Sequence, residues 1–376
     1  MIRHDCRRRP SRIILIALGV TMALQCTDIE HPVAAPVAKP DTSFTPLWPI
    51  FSHDGKKVFF FGRLFGVPGM GFYELDTAGG AARIIMWDSL EKANPKLSPD
   101  GRKILYQAAE EHRLLCCSRL WVMNIDGTGA ADCTPWGGYW QHHSWSPDGQ
   151  SILASGPVEE PLGGINTQIL RMQSDGSDPR LLTRGDSGSG DPRWDVDGSH
   201  IFYVTKHPTN ELSAVVYVMN GDGTENRPVD STHAGGSHPR PSPVRRELAL
   251  LWNRDAFGKA GGYLVDYGAS TFPTGEASFR RFATEFSEQS EWSPDGGVIA
   301  QLREGPSWSL TNDLYLVARD GSGVRRLTDS YRISFWNWSR DGRQIVFSSF
   351  SGEAAHDGFF IADVEQRTVR KLTLHR

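Results

Sequence analysis

The sequence has little cysteine: five in 376 residues, two of them within the first 26. No Cys-x-x-Cys pair occurs, which removes the usual zinc-ribbon spacing. Only Cys116, Cys117 and Cys133 lie beyond residue 26, too few for a disulfide framework. Apolar runs are short. Residues 13–24 form a run of 12, below the ~20 that a membrane-spanning helix needs. No stretch keeps a helical period over three turns, so a helical bundle is excluded. Charge of one sign is also lacking. The formal net charge is −4, and −8 once residues 1–25 are set aside. An acidic body argues against nucleic acid as a partner. No Gly-x-Ser-x-Gly elbow is present, so an α/β-hydrolase reading has no support.

Glycine and proline are abundant, at 39 and 23 residues, and with 12 Trp and 18 Phe they suggest a turn-rich β protein. Length alone would suggest two or three domains. Internal repeats point elsewhere. Ser-Pro-Asp-Gly occurs at 98–101, 146–149 and 293–296, with variants at 52–55, 195–198 and 339–342. A degenerate copy stands at 242–245. The aspartate position falls at 54, 100, 148, 197, 244, 295 and 341, a period of 46 to 51 residues. A bulky residue precedes most copies: Phe51, Leu97, Trp145, Trp194, Trp292 and Trp338. A short apolar strand follows each, then a second strand, a second Asp-Gly turn and a closing Leu-Thr strand. Asp-Gly supplies the positive φ angles of tight hairpins. Four short strands repeated seven times predict an all-β fold, a seven-bladed β-propeller of four-stranded antiparallel blades. The spacing leaves ring closure open: each blade is one sequence unit, or residues 41–47 add to the last blade.

The pattern Trp-Ser-Pro-Asp-Gly, apolar strand, Leu-Tyr/Trp-Val-Met-Asn-x-Asp-Gly, Leu-Thr resembles the TolB-like branch of β-propellers over residues 44–374. TolB itself carries an α/β domain ahead of six blades. This chain shows seven repeats and no such domain, so it reads as a relative and not an orthologue. The residues assign 1–25 to a signal, 26–43 to a tether and 44–376 to the propeller. Five Arg, the apolar run and Ala23-Leu24-Gln25-Cys26 resemble a lipoprotein signal, which implies acylation at Cys26. Residues 27–43, rich in Pro, Ala and Val, read as a spacer. The expected address is the periplasmic side of a bacterial envelope, with a lipid anchor in the outer membrane as the sole membrane contact.

If the strand before Ser-Pro-Asp-Gly is innermost, two positions of each repeat face the central channel. Three residues before the bulky position stand Asn94, His142, Asp191, His238 and Gln289, with Trp48 and Phe335 completing the ring. One residue before it stand Lys96, Arg193, Arg240 and Glu291, with Ile50, Ser144 and Asn337. Packing positions should repeat; these vary, which marks them as binding candidates at the pore rim. No cofactor is required, but His142, Asp191 and His238 are of the right type to hold a divalent metal, with His143, His233 and Asp186 in reserve. Oligogalacturonate lyases are similar propellers with a manganese site of several His and a Gln. This chain has His142, His143, His238 and Gln289 but lacks a late His-x-His pair. Gly185-Asp186-Ser187-Gly188 resembles a trypsin-like nucleophile loop and reads as an inter-blade loop. None of the Asp-Gly turns completes a calcium-binding loop. A disulfide from Cys133, with Cys117 as partner, is compatible with export.

The functional expectation is a monomeric binding or scaffolding module for an envelope protein or a glycan. The alternatives are a polysaccharide-active enzyme working through the pore and a non-enzymatic sugar or metal sensor.

Overall fold

A computed structural model describes residues 44–64, 69–110, 114–134, 138–159, 165–184, 188–207, 210–229, 236–252, 261–268, 279–283, 289–304, 311–352 and 355–375. The signal, the tether with Cys26, His233, Asp186 and most of the long loops lie outside them. Among the described residues no helix is long and apolar enough to cross a membrane.

Seven four-stranded antiparallel sheets follow one another along the chain. Blade 2 shows the plan: Glu91–Leu97, Lys103–Ala109, Arg119–Asn124 and Ala131–Asp132, hydrogen-bonded in sequence order. First strands of neighbouring blades touch from blade 7 through 1 to 2 and from blade 3 through 4 and 5 to 6, so the seven first strands surround the axis. They are Phe44–Phe51, Glu91–Leu97, His142–Trp145, Ser189–Trp194, Gly236–Pro241, Ser290–Trp292 and Ile333–Trp338. The seven-bladed expectation holds, and the channel-lining positions lie on the innermost strands.

The repeated motifs act locally. In Ser-x-Asp-Gly the serine hydroxyl donates to the aspartate, as in Ser98 Oγ to Asp100 Oδ1 at 2.6 Å. The same carboxylate accepts the amide of Arg102, and the serine oxygen accepts that of Lys103. The hydroxyl and amide bonds favour the charged form, so Asp100 is held below its ordinary pKa. Gly101, at φ 73°, completes the turn. The Leu-Thr closure works differently. Thr134, Thr183 and Thr328 accept the amides of Leu120, Ile169 and Leu314, each at 2.9 Å.

The core is seven apolar layers, one between each pair of adjacent blades. Strand alternation divides the side chains between the two faces: Ile104 and Tyr106 pack against blade 1, Leu105 against blade 3. The Trp before the Ser-Pro-Asp-Gly turn joins blades. Trp145 Nε1 donates to the Lys96 carbonyl at 2.9 Å, and Trp292 Nε1 to that of Arg240 at 2.8 Å.

Ring closure takes the first of the two routes. Phe44–Phe51 pairs with Lys57–Leu64 inside blade 1, so every blade is one continuous unit. The seam between blades 7 and 1 is closed by side chains. Phe60, Tyr73 and Trp87 share a layer with Val346, Phe359 and Ile361, and the Phe60 and Phe359 rings meet edge-on at 4.9 Å. A two-residue parallel ladder, Leu374 to Gly80 and His375 to Ala81, adds a backbone clasp.

Candidate functional site

The innermost strands are not regular. Pairing slips between Leu47 and Ile50, Ala93 and Lys96, Gly190 and Arg193, and Ser237 and Arg240. At each slip one residue takes a left-handed conformation: Trp48 at φ 58°, Asn94 at 53°, Asp191 at 47° and His238 at 51°. Every one of them is followed by proline: Pro49, Pro95, Pro192 and Pro239. Proline lacks the ladder donor, so a strand accepts it at an edge or a bulge. The bulge re-aims the preceding side chain. Blades 3, 6 and 7 have His143, Ser290 and Trp336 in place of the proline; the first strands of blades 3 and 6 pair without a slip, while that of blade 7 slips between Ile333 and Phe335. The x-Pro dipeptides are the sequence signal that the repeat alignment passed over.

The residues one before the bulky position meet at the channel mouth on the Ser-Pro-Asp-Gly side. A cavity of about 390 Å³ opens there. Lys96 of blade 2, Ser144 of blade 3, Arg193 of blade 4, Arg240 of blade 5 and Glu291 of blade 6 line it, together with His143. Behind this wall lies an ion-pair network. Arg193 Nε donates to Asp191 Oδ1 at 3.0 Å, and Arg240 Nη1 to Asp191 Oδ2 at 3.0 Å. Arg240 Nε also donates to the Ser290 carbonyl at 2.8 Å, linking blades 4, 5 and 6. Burial would raise the Asp191 pKa, but Arg193 and Arg240 outweigh it and hold the carboxyl well below the usual range.

The histidines do not act together. His142 Nδ1 lies 3.3 Å from Ser155 Oγ, and His238 Nδ1 lies 3.0 Å from Ser237 Oγ. Burial and the nearby guanidiniums lower the His142 pKa, so it is neutral at pH 7. His143 Nε2 lies 2.8 Å from the Asn94 carbonyl, to which its N–H donates. Burial, with Lys96 beside it, pushes His143 down to about 3. The expected metal set is therefore corrected. Both Asp191 oxygens are taken by guanidiniums, and among the described residues no group of three His, Cys, Asp or Glu could hold a metal ion. His142, Asp191 and His238 are not a ligand set.

Of the other expected residues, Asn94 and Gln289 flank the channel away from the cavity wall, and Gln289 is exposed. Trp48 and Phe335 face each other across the blade 1–7 seam, ring centroids 3.5 Å apart. The channel lining thus has an aromatic side at the seam and a charged side on blades 2 to 6. The expected disulfide is also corrected. Cys117 ends a single helical turn and is half-buried; Cys133 is buried in the layer between blades 2 and 3; no bridge joins them among the described residues.

Solved structures share this architecture. An oligogalacturonate lyase from Vibrio parahaemolyticus superposes with a TM-score of 0.66 at 15% identity, over 90% of this chain and 97% of that one. The β-propeller domain of the Trilobed protease from Pyrococcus furiosus, described as having an open velcro topology, gives 0.61 at 12% identity, over 88% and 98%. The acylaminoacyl peptidase of Pyrococcus horikoshii gives 0.63 at 12%, over 89% of this chain and 53% of that one. At these identities the likeness is one of fold. Neither a family model nor a curated protein matches the chain.

Proposed function

We propose that this chain is an exported, lipid-anchored envelope protein whose propeller binds a protein or glycan partner at the mouth of its central channel. The cavity walled by blades 2 to 6 carries this reading. Its lining differs from blade to blade while the surrounding architecture repeats, and it sets a few charged side chains among apolar ones, as binding cavities do. The signal-like segment and Cys26 support the address. The rigid ring supports the scaffold role, since binding residues work best on a fixed frame.

The test is crosslinking of the full-length tagged protein in envelopes of its source cell. Glu291→Trp places a bulky ring at an exposed position of the mouth and serves as the control. Partners retained by the native chain and lost with Glu291→Trp support channel binding; equal retention sinks it. In the same cells Cys26→Ala should abolish fatty-acid labelling, and labelling that persists removes the anchor.

A second reading, action on a polysaccharide in the pore, is favoured by Trp48 and Phe335, an aromatic pair at the blade 1–7 seam. New reducing ends released from acidic polysaccharides by the purified chain would establish it. A blank result with Trp48→Ala and native protein alike leaves binding as the activity.

A further inference from the structure

The cavity and the ion-pair network behind it bring together three cations, Lys96, Arg193 and Arg240, and three anions, Asp191, Asp195 and Glu291. Four of the six are committed. Asp191 accepts from Arg193 Nε and Arg240 Nη1. Asp195 stands where the other blades have the turn's serine, and it accepts the His200 amide and the Ser199 hydroxyl, each at 3.0 Å. Lys96 and Glu291 remain. Neither side chain makes a hydrogen bond or ion pair with a described residue. They stand on blades 2 and 6, with blades 3, 4 and 5 between them. Glu291 is near enough to favour the Lys96 ammonium, yet the two side chains do not meet. The cavity separates them, and its volume of about 390 Å³ lies within the range of small-molecule sites, about 300–1,000 Å³. Much of the remaining lining is apolar, including Leu97, Trp145, Trp194, Val196 and Pro241. With the charges balanced, the site favours no ion of one sign. An unpaired cation and an unpaired anion on one cavity suit a molecule that carries both.

We propose that this cavity holds a small zwitterion, its carboxylate against Lys96 Nζ and its ammonium against the Glu291 carboxylate. The inference rests on the channel-mouth reading above for its place and goes beyond it in naming a small ligand. A free α-amino acid and a short peptide with both ends free share this chemistry. The apolar lining receives the side chain. Each charged end has its own partner, so the two ends can be tested apart.

Lys96 gives a further readout. Burial, and Arg193 beside it, push its pKa down to about 8. A carboxylate set against the amine favours the charged form, so binding at pH 8 takes up part of a proton at this residue.

Calorimetric titration of the full chain uses L-leucine and glycyl-L-leucine, each also with its amine acetylated or its carboxylate amidated. Saturable binding of at least one free zwitterion is expected, with both of its capped forms weaker by about tenfold or more. The tighter of the two zwitterions identifies the source. Lys96→Met and Glu291→Gln should each weaken the zwitterion to a similar extent, at unchanged melting temperature. Lys96→Met should also abolish the preference over the amide, and Glu291→Gln the preference over the acetylated form. With leucine at pH 8 the native chain should take up more proton than Lys96→Arg, read from buffers of different ionisation enthalpy. Failure of both zwitterions to bind, equal binding of a capped form, equal proton uptake, or indifference to either variant would each overturn the proposal. If a crosslinked partner is retained by the native chain and lost with Glu291→Trp while no zwitterion binds, this inference falls and channel binding stands. If a zwitterion binds and no partner is retained, the macromolecular partner falls and the zwitterion stands.

Discussion

Asp191 is the residue on which the charged wall depends. It is 8% exposed and held from two sides, by Arg193 of its own blade and Arg240 of the next. Removing one member of such a buried pair leaves an uncompensated charge, at a cost of about 3–5 kcal/mol. Arg240→Met should therefore lower the melting temperature markedly, and adding Asp191→Asn should recover part of the loss. The sign of the pH effect follows from the depressed Asp191 pKa. Its stabilisation is present in full above the ordinary carboxylate pKa of 3.8 and fades as pH falls below it. Melting curves of native protein and the double variant should thus converge toward low pH; a constant gap would contradict the pairing. Asn94 offers a second test at this scale. Its φ of 53° suits glycine and excludes β-branched residues. Asn94→Gly should be neutral or stabilising, and Asn94→Val should cost about 1–3 kcal/mol in denaturant unfolding.

At the scale of the strand, the two repeated motifs differ in how they were legible. The Ser-Pro-Asp-Gly turn announced itself by residue type, because aspartate and glycine suit that geometry and little else. The threonine of Leu-Thr reads as an ordinary β-former, yet its hydroxyl holds an amide of the third strand. Thr328 accepts from Leu314 N and donates to Asp313 Oδ1 at 2.8 Å while only 2% exposed. Thr328→Val keeps the shape and strands that amide, so it should cost about 1–3 kcal/mol; Thr328→Ser should cost less. Equal losses from both would point to packing instead. The innermost strands held more information than their alternation showed. Their x-Pro dipeptides mark four of the slips, those at Trp48, Asn94, Asp191 and His238; blades 3 and 6 lack both proline and slip, and blade 7 slips at Phe335 without one. The partners of those side chains were hidden for another reason. Asp191 and Arg240 lie 49 residues apart, and His143 and the Asn94 carbonyl also 49. One repeat of separation is what neighbouring blades require, but which of several charged side chains pair across it depends on bulges and rotamers. A metal set was therefore expected where the fold builds an ion-pair network.

For the whole molecule the repeat period determined blade number, and side-chain alternation determined the seven layers. Closure was not legible, because a first strand flanked by neighbours on both sides reads the same whether it completes blade 1 or blade 7. The seam carries aromatic weight: Phe359 is fully buried against Phe60. Phe359→Ala should cost about 3–5 kcal/mol and expose the seam first. Hydrogen exchange should then quicken in Lys57–Leu64 and Gly358–Asp363 ahead of the blades opposite; uniform acceleration would show that the ring melts as one.

Because blade 1 takes its innermost strand from its own repeat, the seam is built as two complete four-stranded sheets laid face to face, with the short Leu374–His375 ladder to Gly80–Ala81 outside them. Joining residue 375 to residue 44 by a short linker and opening the chain between blades 3 and 4 would yield the same ring with its break moved beside the charged wall. Such a rearranged chain keeps every intra-blade ladder, whereas a propeller that borrows a strand to close would lose a sheet to the same cut.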